Sequence, residues 1–282
     1  MIINKEEGII VLILKNCTKS FKKTKALNDF SCEFKHGIYG LLGPNGSGKT
    51  TMMRCICGLL SPEKGSIECD CENIGYLPQQ FGAMKSLTVY ETMRYFATLK
   101  KIPKSNQDNE IRYCIDLVNL SDKIKNKAGS LSGGMVRRLG IAQAIMGNPE
   151  IVLFDEPTAG LDPEERVRFK SLLRKIKNDK TIIISTHIVS DVKSICDEIV
   201  IINEGRNVVQ GTCSDITSIG NEKVFLLDEE YENNLEGNYY VKDRISKDNK
   251  NHIIVLSSNF IEQGVSINAD IEDGYLCALK DI

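Results

Sequence analysis

The chain has 282 residues, of which 26% are charged and 41% hydrophobic. That is an ordinary globular composition and excludes wholesale disorder and fibrous classes. The net charge of -2, from 36 basic and 38 acidic side chains, argues against a dedicated nucleic-acid binder, which carries a strongly basic face. The charge is unevenly spread. Residues 1–212 hold 30 basic and 24 acidic side chains, whereas 213–282 hold 6 and 14. The shift predicts a large first domain over 1–212 and a small acidic C-terminal extension over 213–282.

The first apolar run, Ile9 to Leu14, is six residues long and reads as a buried strand. It is far shorter than the roughly 20 residues a membrane helix needs, and it has no secretory-signal pattern. A cytosolic chain is the expectation. The ten cysteines then read as reduced thiols acting as small hydrophobes. The pairs Cys55/Cys57 and Cys69/Cys71 are spaced C-x-C with no nearby histidine, which is poor zinc spacing.

Next comes Ile38 to Leu42, a strand pattern, followed by Gly43-Pro44-Asn45-Gly46-Ser47-Gly48-Lys49-Thr50. This matches G-x-x-x-x-G-K-[ST] without a mismatch. A helical pattern carrying Met52, Met53, Ile56, Leu59 and Leu60 follows it. Strand, glycine loop and helix together are the context a phosphate-binding loop requires. Glycines let backbone N–H groups converge on phosphate oxygens, and the helix start adds positive partial charge. Lys49 is expected to reach the β- and γ-phosphates, and the Thr50 hydroxyl to ligate Mg2+.

Farther on, Glu91–Lys101 and Ile111–Leu120 are the best helices of a segment without strand patterns. Met135, Leu139, Ala142 and Ile145 recur on one face of another helix, which Gly147-Asn148-Pro149 stops. Three apolar runs follow, Ile151–Phe154, Thr181–Ser185 and Glu198–Ile202. Runs apolar on both faces suit strands buried under helices in a parallel α/β sheet. Such sheets hold ligands at the carboxyl ends of their strands, and Asp155 and His187 stand at two such ends. Asp155 is placed to hold Mg2+, and Glu156 to polarise an attacking water. In the tail, Lys223–Leu227 and His252–Leu256 read as strands.

The set Leu131-Ser132-Gly133-Gly134-Met135, Asp155-Glu156-Pro157, Ala159-Gly160-Leu161-Asp162 and Thr186-His187 resembles the ATP-binding cassette (ABC) proteins over about residues 8–212. The resemblance implies a P-loop NTPase fold, with a mixed or parallel core sheet and a helical signature subdomain at about 82–146. It implies Mg2+-dependent hydrolysis of ATP by two cassettes paired head to tail, either two copies or a paralogous pair. Ser132, Gly133 and Gly134 of one then contact the nucleotide held by Lys49 of the other. By the same resemblance Gln79, with Gln80 adjacent, is the glutamine that senses Mg2+ and the attacking water. His187 contacts the γ-phosphate, Asp162 communicates across the dimer, Phe21 stacks on adenine and Thr51 binds the α-phosphate. A polytopic membrane subunit is the implied partner, docked through Ala83–Leu87 and Met93, with the chain on the inner face of the cell membrane. Tyr76–Gln79, Met135–Ala144 and Ala159–Pro163 resemble exporters of drugs, peptides or antibiotics. The rival reading is a soluble ABC ATPase of translation or DNA maintenance. Such relatives usually carry two cassettes, coiled-coil insertions or zinc modules, none of which is seen in this sequence.

Overall fold

The computed structural model describes residues 10–71, 73–247 and 250–282. Strands β1 (Ile10–Phe21) and β2 (Thr24–Lys35) form an antiparallel hairpin, and β4 (Lys64–Cys69) joins the other edge of β1. Between them run β3 (Gly37–Leu42) and α1 (Lys49–Ile56). The core sheet adds β5 (Ile74–Leu77), β6 (Ile151–Asp155), β7 (Thr181–Thr186), β8 (Glu198–Asn203) and β9 (Arg206–Gly211). Its order is β5-β6-β7-β3-β8-β9, parallel except for the β8–β9 hairpin.

Alternation along the strands fills both faces of this sheet. Val152, Phe154, Ile182 and Ile184 enter one core with the helical subdomain. Leu153, Ile183 and Leu41 point the other way, onto Met52 and Met53 of α1 and Phe30 and Phe34 of β2. Helix α1 ends at Ile56, so Leu59 and Leu60 lie beyond it and Leu59 is exposed.

The helical subdomain comprises α2 (Val89–Leu99), α3 (Lys104–Leu117) and α4 (Gly133–Ile145). Its first two helices begin earlier than the apolar spacing predicts, because local chemistry sets the starts. Thr88 and Glu91 form a reciprocal capping box at α2, and Pro103 precedes α3. Met93 is fully buried in the core of this subdomain and is not a docking contact. Helix α4 also departs from a one-face pattern. Every residue from Arg137 to Ile145 is buried, because α4 lies between the other helices and strands β5 and β6.

Helices α5 (Pro163–Ile176) and α6 (Val189–Lys193) follow β6 and β7. After β9 come α7 (Cys213–Ser218), β10 (Val224–Asp228), β11 (Tyr239–Lys247), β12 (Lys250–Ser257), β13 (Val265–Ser266) and α8 (Ile271–Lys280). The four strands form a separate sheet, β11-β12-β10-β13. Ile216 of α7 and Ile271 and Tyr275 of α8 share a core cluster with Leu42, Ile199 and Ile201 of the main sheet. At Gly274 a Cβ would meet the Ile216 carbonyl oxygen at 1.8 Å, so only glycine lets α8 lie this close to α7.

One expectation about cysteine changes. Cys69 and Cys71 are joined as a disulfide at the end of β4, so this pair is not two reduced thiols. The other eight are free.

Candidate functional site: a phosphate cleft at the strand ends

The loop from Gly43 to Gly48 leaves β3 and turns directly into α1. Gly48 caps the helix with φ 114°, a left-handed conformation that favours glycine. A Cβ there would also strike the Ala26 carbonyl oxygen at 2.2 Å. No side chain caps α1, so its first N–H groups remain available to an anion. The adjoining cavity of about 390 Å³ is lined by Ala26, Asn45, Gly46, Gly48, Lys49, Thr50, Thr51, Gln79 and Glu156. Gln79 enters this cavity, whereas Gln80 is exposed outside it.

Lys49 folds back to donate to the carbonyl oxygens of Gly43 (2.7 Å) and Pro44 (3.0 Å). Burial pulls its pKa below the usual lysine value, and the charges of Glu156 and Asp155 pull it back up. The ammonium therefore sits poorly hydrated at the mouth of an anion cradle.

The opposite wall is the end of β6. Asp155 is fully buried. Its Oδ1 accepts a 2.6 Å hydrogen bond from Ser185 Oγ, while Oδ2 has no hydrogen-bond partner. An orphaned buried carboxylate oxygen costs several kcal/mol unless something ligates it. The donor set of one carboxylate oxygen, one threonine hydroxyl and phosphate oxygens suits a hard divalent cation such as Mg2+.

Glu156 follows with φ 51°, left-handed and uncommon for a residue with a side chain. Its N–H donates to Ser185, to Oγ at 2.9 Å and to the carbonyl oxygen at 3.2 Å. The Glu156 carboxylate meets His187 Nδ1 at 3.0 and 3.1 Å. Glu156 and His187 thus follow adjacent strands, β6 and β7.

Three expected groups lie elsewhere. Ser132 caps α4, accepting from Met135 N at 3.3 Å, and both Ser132 and Gly133 are exposed. A Cβ on Gly133 would meet nothing within 4 Å, and one on Gly134 only Leu161. Neither residue lines the Lys49 cavity. Asp162 caps α5 through Glu165 N at 2.8 Å. Phe21 stands 46% exposed at the tip of the β1–β2 hairpin, outside the cavity lining.

Sequence reasoning overlooked two groups. Ser185 reads only as the last polar residue of an apolar run. Arg137 reads as one more position on a helix, although charged residues such as Arg137 and Arg138 within a largely apolar, small-residue helix are themselves a signal. Its guanidinium reaches the backbone of both walls.

Comparison with known proteins agrees with this geometry. Residues 27–159 match the family model described as ABC transporter. An ABC transporter ATP-binding protein of Bacillus subtilis (strain 168), YxlF, is 30% identical over 269 residues, which is 92% of this chain and 90% of that protein. The chain belongs to the ABC transporter family, as an ATP-binding subunit.

This ABC subunit is an ATPase of the P-loop fold. Two other relatives point in opposite transport directions. The methionine import ATP-binding protein MetN of Carboxydothermus hydrogenoformans is 33% identical, covering 73% of this chain and 67% of its own. The Nod factor export ATP-binding protein I of Burkholderia lata is 34% identical, covering 70% and 69%. Among solved structures, a dimeric cassette in a post-hydrolysis state with ADP and Pi superposes with TM-score 0.65 at 26% identity, over 71% of this chain and 98% of that one. ATP-binding subunits of this family work as dimers with membrane subunits. Among the described residues, no helix of the ABC subunit is long and apolar enough to cross a membrane.

Proposed function

We propose that two copies of this ABC subunit pair head to tail around two ATP molecules and drive export through a separate polytopic membrane subunit. The observation that carries the pairing is the division of the site. The loop, Lys49, Gln79 and Glu156 share one cavity, whereas the open helix start at Ser132-Gly133-Gly134 is not part of its lining. A second phosphate-seeking helix start with no phosphate site of its own wants a nucleotide from another chain.

In this reading the Gly43–Gly48 backbone and Lys49 hold the β- and γ-phosphates, Thr51 the α-phosphate, and Phe21 packs on adenine. Thr50, Asp155 and Gln79 would hold Mg2+, which would supply neutralisation of the phosphate charge. Glu156 takes the proton of the attacking water as its oxygen bonds to the γ-phosphorus and the bond to ADP breaks. His187 orients Glu156 and reaches the γ-phosphate, and Asp162 sits at the dimer seam. Residues 213–282 serve as a capping extension, supported by the shared cluster of α7 and α8 with the main sheet.

The export direction is supported by Tyr76–Gln79, Met135–Ala144 and Ala159–Pro163, which resemble exporter ATPases. The MetN and Nod factor matches are too close in identity to discriminate. Placement on the inner membrane face follows from the partner. The test is capture of tagged Glu156→Gln protein, with ATP and Mg2+, from gently solubilised host membranes. Stoichiometric recovery of a polytopic protein supports the reading, and recovery of ribosomes or of the bait alone overturns it.

A further inference from the structure

Arg137 lies on the second turn of α4 and is 9% exposed. A guanidinium has five N–H donors in a fixed fork. All five have backbone partners. Nη1 donates to the carbonyl oxygens of Pro78 (2.9 Å) and Gln79 (2.8 Å). Nη2 donates to those of Asp155 and Glu156, the latter at 2.6 Å, and Nε to that of Pro157 at 3.3 Å. One side chain therefore gathers five carbonyl groups from two separate segments, the loop that carries Gln79 and the turn that carries the hydrolytic carboxylates.

The backbone it grips is the kind that needs gripping. Glu156 has a left-handed φ of 51°. Such a conformation is strained for a residue with a side chain and persists only where its surroundings over-determine it. Ser185 fixes the N–H side of that residue and Arg137 the carbonyl side. The other end of the strut is equally firm. Gln143 Nε2 on α4 donates to the Tyr76 carbonyl oxygen at 2.7 Å, and Lys100 Nζ donates to the carbonyl oxygens of Gln143 and Met146, both at 2.7 Å.

We propose that Arg137 is a positioning residue that fixes the Gln79 and Glu156 backbones to α4. Helix α4, which opens at Ser132–Gly134, is thereby tied to the turn that carries the chain's own hydrolytic carboxylate. This rests on the head-to-tail reading above. There, the helix that one chain offers to its partner's nucleotide is joined through Arg137 to the same chain's Glu156. Engagement of one nucleotide is thereby transmitted to the catalytic geometry at the other. Arg137 touches neither nucleotide nor water in this scheme. It acts through the backbone of the residues that do.

The test compares wild type, Arg137→Met and Arg137→Lys in steady-state ATPase assays with Mg2+, normalised to folded protein. It adds ATP-dependent assembly of each variant in the Glu156→Gln background. Misplacing a catalytic group by about 1 Å costs on the order of 100-fold. Arg137→Met is therefore expected to lose about 10- to 100-fold in kcat with KM for ATP within about three-fold. Arg137→Lys, with three donors, is expected to recover part of that loss. Assembly with ATP is expected to persist, because the Ser132 cap is untouched. Unchanged kcat in either folded variant overturns the proposal, as does a rise in KM with kcat retained. If Arg137→Met does not fold, the lysine variant decides alone, through lowered kcat at unchanged KM. Failure of wild type to hydrolyse ATP or to assemble would instead strike at the function proposed above, independently of Arg137.

Discussion

His187 Nδ1 lies 3.0 Å from Oε1 and 3.1 Å from Oε2 of Glu156, so a single ring nitrogen addresses the whole carboxylate. The two residues follow neighbouring parallel strands, in which Asp155, one residue before Glu156, pairs with Ser185, two residues before His187. The Glu156 side chain is almost wholly buried, while that of His187 is about half exposed. Glu156 itself lines the cleft, and the half-exposed histidine holds its carboxylate from beside it. Removing it should leave the base present but unoriented. His187→Ala is expected to lower kcat about 100-fold with ATP affinity nearly unchanged, a size typical of one positioned proton-transfer group. Parallel kcat and binding measurements check this, and unaltered turnover would remove His187 from the reaction.

Glu156→Gln keeps the shape and the ring contact but cannot accept a proton. Turnover should fall by at least 100-fold while nucleotide binding persists. Single-turnover phosphate release and equilibrium binding separate the two, and retained turnover would assign the base elsewhere.

Lys49 already donates to two loop carbonyls and is short of water. Exchanging those contacts for a phosphate gains a charge-assisted bond in a partly dry site. Lys49→Ala should weaken ATP binding about 10- to 100-fold, corresponding to roughly 1.5–3 kcal/mol. Titration calorimetry reads this directly, and wild-type affinity would refute the assignment of the cradle.

A pH effect resides outside the cleft. Burial pushes the Lys100 pKa down to about 8, with Cys114 and Glu110 opposing. The unfolded chain holds that proton up to the ordinary lysine value, so between about pH 8 and 10 it binds more protons than the folded one. Stability from this group should then rise with pH, by up to about 1.4 kcal/mol per unit. The gap in unfolding free energy between wild type and Lys100→Met should accordingly shift in favour of wild type over pH 8–10. Parallel profiles would show that the carbonyls at the end of α4 hold the ammonium charged throughout.

The residues that carry chemistry were the most legible in the sequence. The motifs Gly43–Thr50 and Asp155-Glu156 stand out by spacing, and Asn45, Gly46, Gly48, Lys49, Thr50 and Glu156 line one cleft in the fold. The four core strands Gly37–Leu42, Ile151–Asp155, Thr181–Thr186 and Glu198–Asn203 were legible because strands buried on both faces are apolar throughout. Helix starts at Val89 and Lys104 were missed because a capping box at Thr88 and the proline at 103, and not periodicity, mark them. Met93 looked available for docking, but only tertiary packing shows which apolar residues a subdomain keeps for itself. Arg137 was illegible as a strut. Its partners are backbone carbonyls, which leave no side-chain signature in a sequence.

The most direct test of the central claim is the solution mass of Glu156→Gln protein by light scattering, with and without ATP and Mg2+. A site divided between two chains predicts a single-chain mass without nucleotide and twice that mass with it. The same shift should be lost on adding Lys49→Ala. A single-chain mass with ATP demonstrably bound would contradict the account, because Ser132–Gly134 would then have no nucleotide to meet.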